Sequence, residues 1–150
     1  MILDALLAYL HYTAILILAS ALGAEALLLR AQAGAATLRS LARADILYGV
    51  SSGIVVLTGL LRLFFGAKGA TFYTGNPVFW TKVGLFIVVG LLSLPPTLKF
   101  IRWRRSLDAD PAFAPAPGEL SAVRRLVFIE LHLLALIPLA AVFMARGLGF

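Results

Sequence analysis

Asn76–Pro96, NPVFWTKVGLFIVVGLLSLPP, decides the fold. Lys82 is the single charged residue in the stretch, and most of the rest is Val, Leu, Ile, Phe and Gly. A helix of this length rises about 30 Å, the hydrocarbon thickness of a bilayer. Asn76 and Pro77 read as the N-cap and first residue of that helix. Outward from here, three more apolar segments stand out, giving spans at about 2–29, 46–65, 79–101 and 126–145.

The totals agree. Of 150 residues, 61% are hydrophobic and 13% charged, with a mean hydropathy of +0.98. That leaves too little polar surface for a soluble domain. The expectation is one all-α domain over residues 1–150, a polytopic four-transmembrane-helix bundle. The first span is read as a retained helix rather than a signal peptide. Its first ten residues hold no basic residue and one acid, Asp4, and the run is too long for an h-region. The chain has no cysteine, which removes disulfides, thiolate metal sites and cysteine nucleophiles.

A net charge of +6 would suit nucleic acid, but its placement fits membrane orientation instead. The loops at 30–45 and 99–125 carry Arg30, Arg39, Arg43, Lys99, Arg102, Arg104, Arg105, Arg124 and Arg125. The other side carries Arg62, Lys68 and Arg146. Nine basic residues against three put both termini on the outer, periplasmic side and the two basic loops in the cytoplasm. Lys99–Arg105, KFIRWRR, is expected at the anionic lipid surface, with Lys99, Arg102, Arg104 and Arg105 meeting lipid and Trp103 among them. Asp110–Gly118, DPAFAPAPG, reads as a Pro/Ala linker. Asp45 is expected at the start of span two, against the positive end of the helix dipole. Gly49 and Gly53 form a GxxxG pair that permits close approach of another helix.

Ionisable groups inside spans are costly, which makes His11, Glu25, Arg62, Lys82, Glu130 and His132 the candidate site residues. Helical side chains lean towards the N-terminus. Lys82 and Glu130 can therefore lean to the nearer surface, and snorkelling is the competing explanation for both. Glu25 and Arg62 lean deeper, so each requires an internal partner, an ordered water or a ligand. His11 and Glu25, fourteen residues apart, fall within about 40° on one helix face. Glu130 and His132 are about 200° apart and cannot both face one partner. By depth, His11, Arg62 and Lys82 form an outer group, an imidazole with two cations suited to the iron and propionates of a haem. Glu25, Glu130 and His132 form a cytoplasmic group suited to proton exchange or pairing. Pro95, Pro96 and Pro138 remove backbone donors within spans, and Ser93 and Thr97 are placed to satisfy carbonyls freed near the first break.

ADILYG (Ala44–Gly49), TGLLR (Thr58–Arg62), GAKGATFYTGNPVFWTKVGLF (Gly66–Phe86), LLSLPPT (Leu91–Thr97), FIRWRR (Phe100–Arg105) and ELHLLALIPLAAVFMARGLG (Glu130–Gly149) together resemble an uncharacterised family of small four-helix bacterial inner-membrane proteins. More distantly, the layout is similar to the four-helix membrane protoporphyrinogen oxidases and the membrane domain of copper-resistance proteins of the D type. The oxidases bind haem b and carry a histidine on the first helix and a lysine on the third. That resemblance implies His11 and Lys82, with Trp80 beside the lysine. In those oxidases the third helix tends to run uninterrupted where this chain has Pro95-Pro96.

Three functions are expected to compete. The preferred one is a haem b redox protein with His11 as axial ligand, His132 or an open position completing the iron, and Arg62 and Lys82 near the propionates. The second is a non-catalytic subunit of a larger membrane complex or a homo-oligomer. The third is a small proton- or ion-coupled carrier using Glu25, Glu130 and His132. No enzymatic reaction is assigned, and no metal apart from haem iron at His11.

Overall fold

A computed structural model describes residues 2–67 and 69–147. Lys68, counted above on the outer side, lies outside the described residues, as do Met1 and residues 148–150. The described chain is all helical, in the order α1 (Ile2–Leu28), α2 (Ala35–Phe65), α3 (Gly69–Thr74), α4 (Pro77–Ala109) and α5 (Pro117–Ala145). Four of these, α1, α2, α4 and α5, are long and apolar enough to cross a membrane. Each packs on the next, and α5 closes on α1, so the four form a ring in chain order. Short connections between long antiparallel helices favour this arrangement.

The ends follow local chemistry. The Asn76 side chain accepts the Val78 N–H at 2.8 Å and Pro77 fills the first helical position, as the sequence predicts. At the far end of α2 the Gly66 N–H donates to the Arg62 carbonyl at 3.0 Å. A Cβ on Gly66 would lie 2.3 Å from that carbonyl oxygen, so only glycine fits the turn. Asp4 ties this turn to α1 by accepting the Ala67 N–H at 3.1 Å.

Three helices run further than the apolar runs. α2 starts at Ala35 rather than near 46, α4 ends at Ala109 rather than near 101, and α5 starts at Pro117 rather than near 126. At 31 and 33 residues, α2 and α4 are about 46 and 50 Å long, well beyond a hydrocarbon core of about 30 Å. All of the added length lies at the end that carries the basic loops. Pro117 and Gly118, part of the expected linker, open α5. The helix α4 also continues through Pro95 and Pro96. Ser93 and Thr97 do not serve the carbonyls freed there. Ser93 donates to the Gly90 carbonyl at 2.8 Å, and Thr97 donates to the Asp45 carboxylate of α2 at 2.6 Å.

Burial is concentrated at the basic end. Leu29, Leu38, Leu41, Phe100, Trp103, Leu107, Val123 and Val127 are all buried there. Where helices leave the bilayer, water again drives apolar side chains inward. In the lipid-exposed part the same residue types face outward, Leu57, Ile87, Leu94 and Leu139 among them. Trp103 departs from expectation. It is 1% exposed and stacks edge-on with Phe100 at 5.7 Å, because Phe100, Trp103 and Leu107 form one inward stripe of α4. Lys99 also differs, since it is ion-paired with Glu119 of α5. Arg102, Arg104 and Arg105 remain exposed.

Trp103→Ala should lower stability by about 3–5 kcal/mol, the cost of emptying a large aromatic site. The adjacent Arg102→Ala should stay within about 0.5 kcal/mol. Thermal unfolding of both variants in one detergent reads the difference, and equal midpoints would contradict the packing.

Candidate functional site

The residues buried on α2 are Leu38, Leu41, Ala42, Asp45, Tyr48, Ser51, Val55 and Thr58, a stripe of three- and four-residue steps. Asp45 is part of this inward stripe, ten residues beyond the start of the helix. The dipole explanation for Asp45 therefore fails, because α2 begins much earlier than the apolar run suggests. On α1 the buried stripe runs Ala14, Leu18, Ala21, Leu22, Glu25 and Ala26. On α5 it runs Val123, Val127, Glu130 and Leu134.

These stripes bring Glu25, Asp45 and Glu130 into the interior of the ring, with exposures of 2%, 8% and 1%. Glu25 lies within reach of the charges of both Asp45 and Glu130, and Glu130 within reach of Asp45. The fourth helix contributes Thr97, whose hydroxyl donates to Asp45 Oδ1. Tyr48, also buried, lies against Ser93 of α4 at the same level. Oε1 of Glu25 and Oε1 of Glu130 have no hydrogen-bond partner. None of the three acids is in an ion pair among the described residues. Snorkelling is thus not the fate of Glu130, whose place in the α5 stripe turns it inward.

Two charge states satisfy such a centre: carboxyls that carry protons, or carboxylates that share a cation. Among the described residues no group of three or more His, Asp or Glu side chains is close enough to hold a metal ion. The carboxyls are therefore near enough to sense one another's charge without converging as a chelate.

The second polar group lies at the opposite end of α1 and α2. The His11 Nδ1 and Thr58 Oγ1 are 2.9 Å apart. Thr58 already donates its one hydroxyl proton, to the Ile54 carbonyl at 2.6 Å. Its oxygen must then accept, which places the imidazole proton on Nδ1 and leaves the lone pair on Nε2. A Cβ on Gly59 would sit 3.4 Å from His11 Cε1, so glycine here lets the ring lie against α2. Arg62 and Lys82 both exert their charge on His11. The Arg62 guanidinium lies 5.2 Å over the Tyr12 ring, and its buried Nε has no hydrogen-bond partner. The Lys82 ammonium lies 5.8 Å from the centre of the Phe79 ring.

His132 joins neither group. It is exposed on α5, with Nδ1 donating to the Phe128 carbonyl at 2.6 Å. Two residues from the inward Glu130, it points to the opposite side, as helix geometry requires. The structure thus brings His11, Arg62 and Lys82 together, brings Glu25 and Glu130 together, and leaves His132 outside both. Asp45 is the residue that sequence reasoning missed. Its signal was present in the spacing of Leu38, Leu41, Asp45 and Tyr48.

The fold and these buried groups define a four-helix integral membrane protein with an acidic centre in its interior. The chain belongs to the family described as Predicted membrane protein (DUF2214), whose model matches residues 3–149. No curated protein and no solved structure matches it.

Proposed function

We propose that this protein is a small proton-coupled carrier of the bacterial inner membrane, built around Glu25, Asp45 and Glu130. The observation that carries the reading is the burial of three carboxyl groups from three helices, with two oxygens unpartnered and none of the three in an ion pair among the described residues. Intramembrane carboxyls of this kind are the usual parts of proton relays. Asp45 is the member that also lines a groove between α2 and α4, so it is the entry point for protons. Glu25 and Glu130 lie behind it and receive them. The basic loops face the cytoplasm, and the acidic centre is in that half of the membrane.

The reading of His11 as a haem ligand comes second, and the tautomer favours it. An imidazole held by Nδ1, with Nε2 left basic, is the form that binds iron. His11 would hold the metal, and Arg62 and Lys82 would meet the propionates. Bound haem would supply one-electron transfer there. His132, facing outward, is not placed to complete the iron.

Infrared titration of the reconstituted protein should reveal carbonyl-stretch bands of protonated carboxyls, reduced in Glu25→Gln and Glu130→Gln. Proton-driven flux in liposomes should fall in the same variants. Absence of these bands across the pH range would exclude the carboxyl reading. For the haem reading, protein expressed with ample haem should show a Soret band that disappears in His11→Ala, and wild-type protein without such a band would end it. The cysteine-free background allows the orientation to be checked directly. Ala114→Cys should react with an impermeant maleimide only from the cytoplasmic side and Thr71→Cys only from the outside.

A further inference from the structure

The basic end of the α2–α4 face holds a charged cavity whose lining includes no member of either polar group. Arg39 and Arg43 of α2 and Arg104 and Asp108 of α4 line a cavity of about 290 Å³. Arg39 and Arg43 are four residues apart, as are Arg104 and Asp108, so each pair projects from one helix face. Three guanidinium groups meet one carboxylate, an excess of two positive charges. None of the three arginines is in an ion pair among the described residues.

A second cavity, of about 620 Å³, shares Arg104 and Asp108 with the first and lies between α2 and α4. Its walls are mostly apolar and include Ile46, Gly49, Val50 and Ile101. A Cβ on Gly49 would meet nothing within 4 Å, and the same holds for Gly53, so no helix of this chain fills that strip. From Arg43 to Val50 the groove descends about 10 Å into the hydrocarbon layer.

We propose that this face is a binding site for an anionic phospholipid. The phosphodiester sits among Arg39, Arg43 and Arg104, and one acyl chain lies in the groove over Gly49. The charge excess selects an anion, and guanidinium groups suit phosphate oxygens in particular. The arginine cavity and the apolar groove share Arg104 and Asp108, and that adjacency selects an amphiphile over a free ion. Basic pockets between membrane helices take anionic headgroups on the same principle. Of the basic residues nearest in sequence, Arg105 also lines the groove, whereas two others do not share the site. Lys99 is ion-paired with Glu119, and Arg102 lines neither cavity. The groove is the one that Asp45 borders, so the acyl chain and the proposed proton entry share it, but no carboxyl of the acidic centre is asked to bind the headgroup.

The test is native mass spectrometry of the full-length protein in mild detergent, with phosphatidylglycerol, phosphatidylcholine or inorganic phosphate added at equal concentration. Retention of phosphatidylglycerol well above phosphatidylcholine is expected, with no protection by inorganic phosphate. An Arg43→Gln/Arg104→Gln double variant should lose that preference, and Arg102→Gln should keep it. Gly49→Leu, which fills the groove but leaves the arginines, should reduce retention as well. Thermal midpoints near wild type certify that the variants fold. Equal retention of the two lipids, an unchanged preference in the double variant, or competition by inorganic phosphate would each overturn the proposal. Glu25→Gln should bind lipid normally, so a failure of the carboxyl reading leaves this result intact.

Discussion

A carboxyl group in hydrocarbon cannot turn to water, and burial in protein is the remaining place for it. Three of the four spanning helices carry such a group at one level, and the fourth brings Thr97 to meet one of them at 2.6 Å. The rotation of every helix about its own axis follows. With Glu25 inward, α1 must present Leu18, Leu22 and Ala26 to its neighbours; with Glu130 inward, α5 must present Val127 and Leu134. The outer faces are then left to Leu, Ile and Val, which lipid accepts at no cost. A single polar layer therefore fixes four helix orientations that apolar residues alone would specify weakly, because lipid and protein interior are equally apolar.

The second determinant is length. Spans of ordinary size would end near the acidic layer, but α2, α4 and α5 continue past it at the basic end. Beyond the bilayer the hydrophobic effect operates again, and there the chain places its largest buried side chains, Phe100 and Trp103. The molecule thus has two cores of different physics. In lipid, packing and polar satisfaction hold the helices. In water, burial of aromatic and aliphatic side chains does, aided by the Lys99–Glu119 pair between α4 and α5.

Much of this was legible in the residues. Hydropathy located four membrane helices, and Asn76-Pro77 marked the start of α4. The His11 and Glu25 spacing put both on one face of α1, where Glu25 is buried and His11 meets Thr58 of α2. The misjudgements share one cause. Apolar runs mark where lipid is met, whereas helices end where capping and tertiary contacts stop them, so the extensions at Ala35, Ala109 and Pro117 went unseen. That error turned Asp45 into a helix-terminal residue and Trp103 into an interfacial anchor. Both are interior, and both were readable from the three- and four-residue steps of their stripes. The outward turn of His132 was implicit in its 200° separation from Glu130, once Glu130 is known to face inward.

The two polar groups are chemically opposite and far apart. His11, Arg62 and Lys82 are at one end, and Glu25, Asp45 and Glu130 are near the other. Fourteen residues of α1 separate His11 from Glu25, about 21 Å of rise. Between them the inward stripe of α1 is Ala14, Leu18, Ala21 and Leu22, with no titratable group. Direct proton transfer across that interval is excluded, since a transfer step needs hydrogen-bond reach or one intervening water. Each elementary charge carried through the full membrane field is worth about 2.3 kcal/mol per 100 mV. Bases at one end and acids at the other cannot neutralise one another over that length, so each group must meet its charge balance locally. For the acids, with no ion pair among the described residues, that leaves protons on the carboxyls or a shared cation. For the bases an acid is present at the same end, since Asp4 of α1 accepts the Ala67 N–H at the turn that follows Arg62.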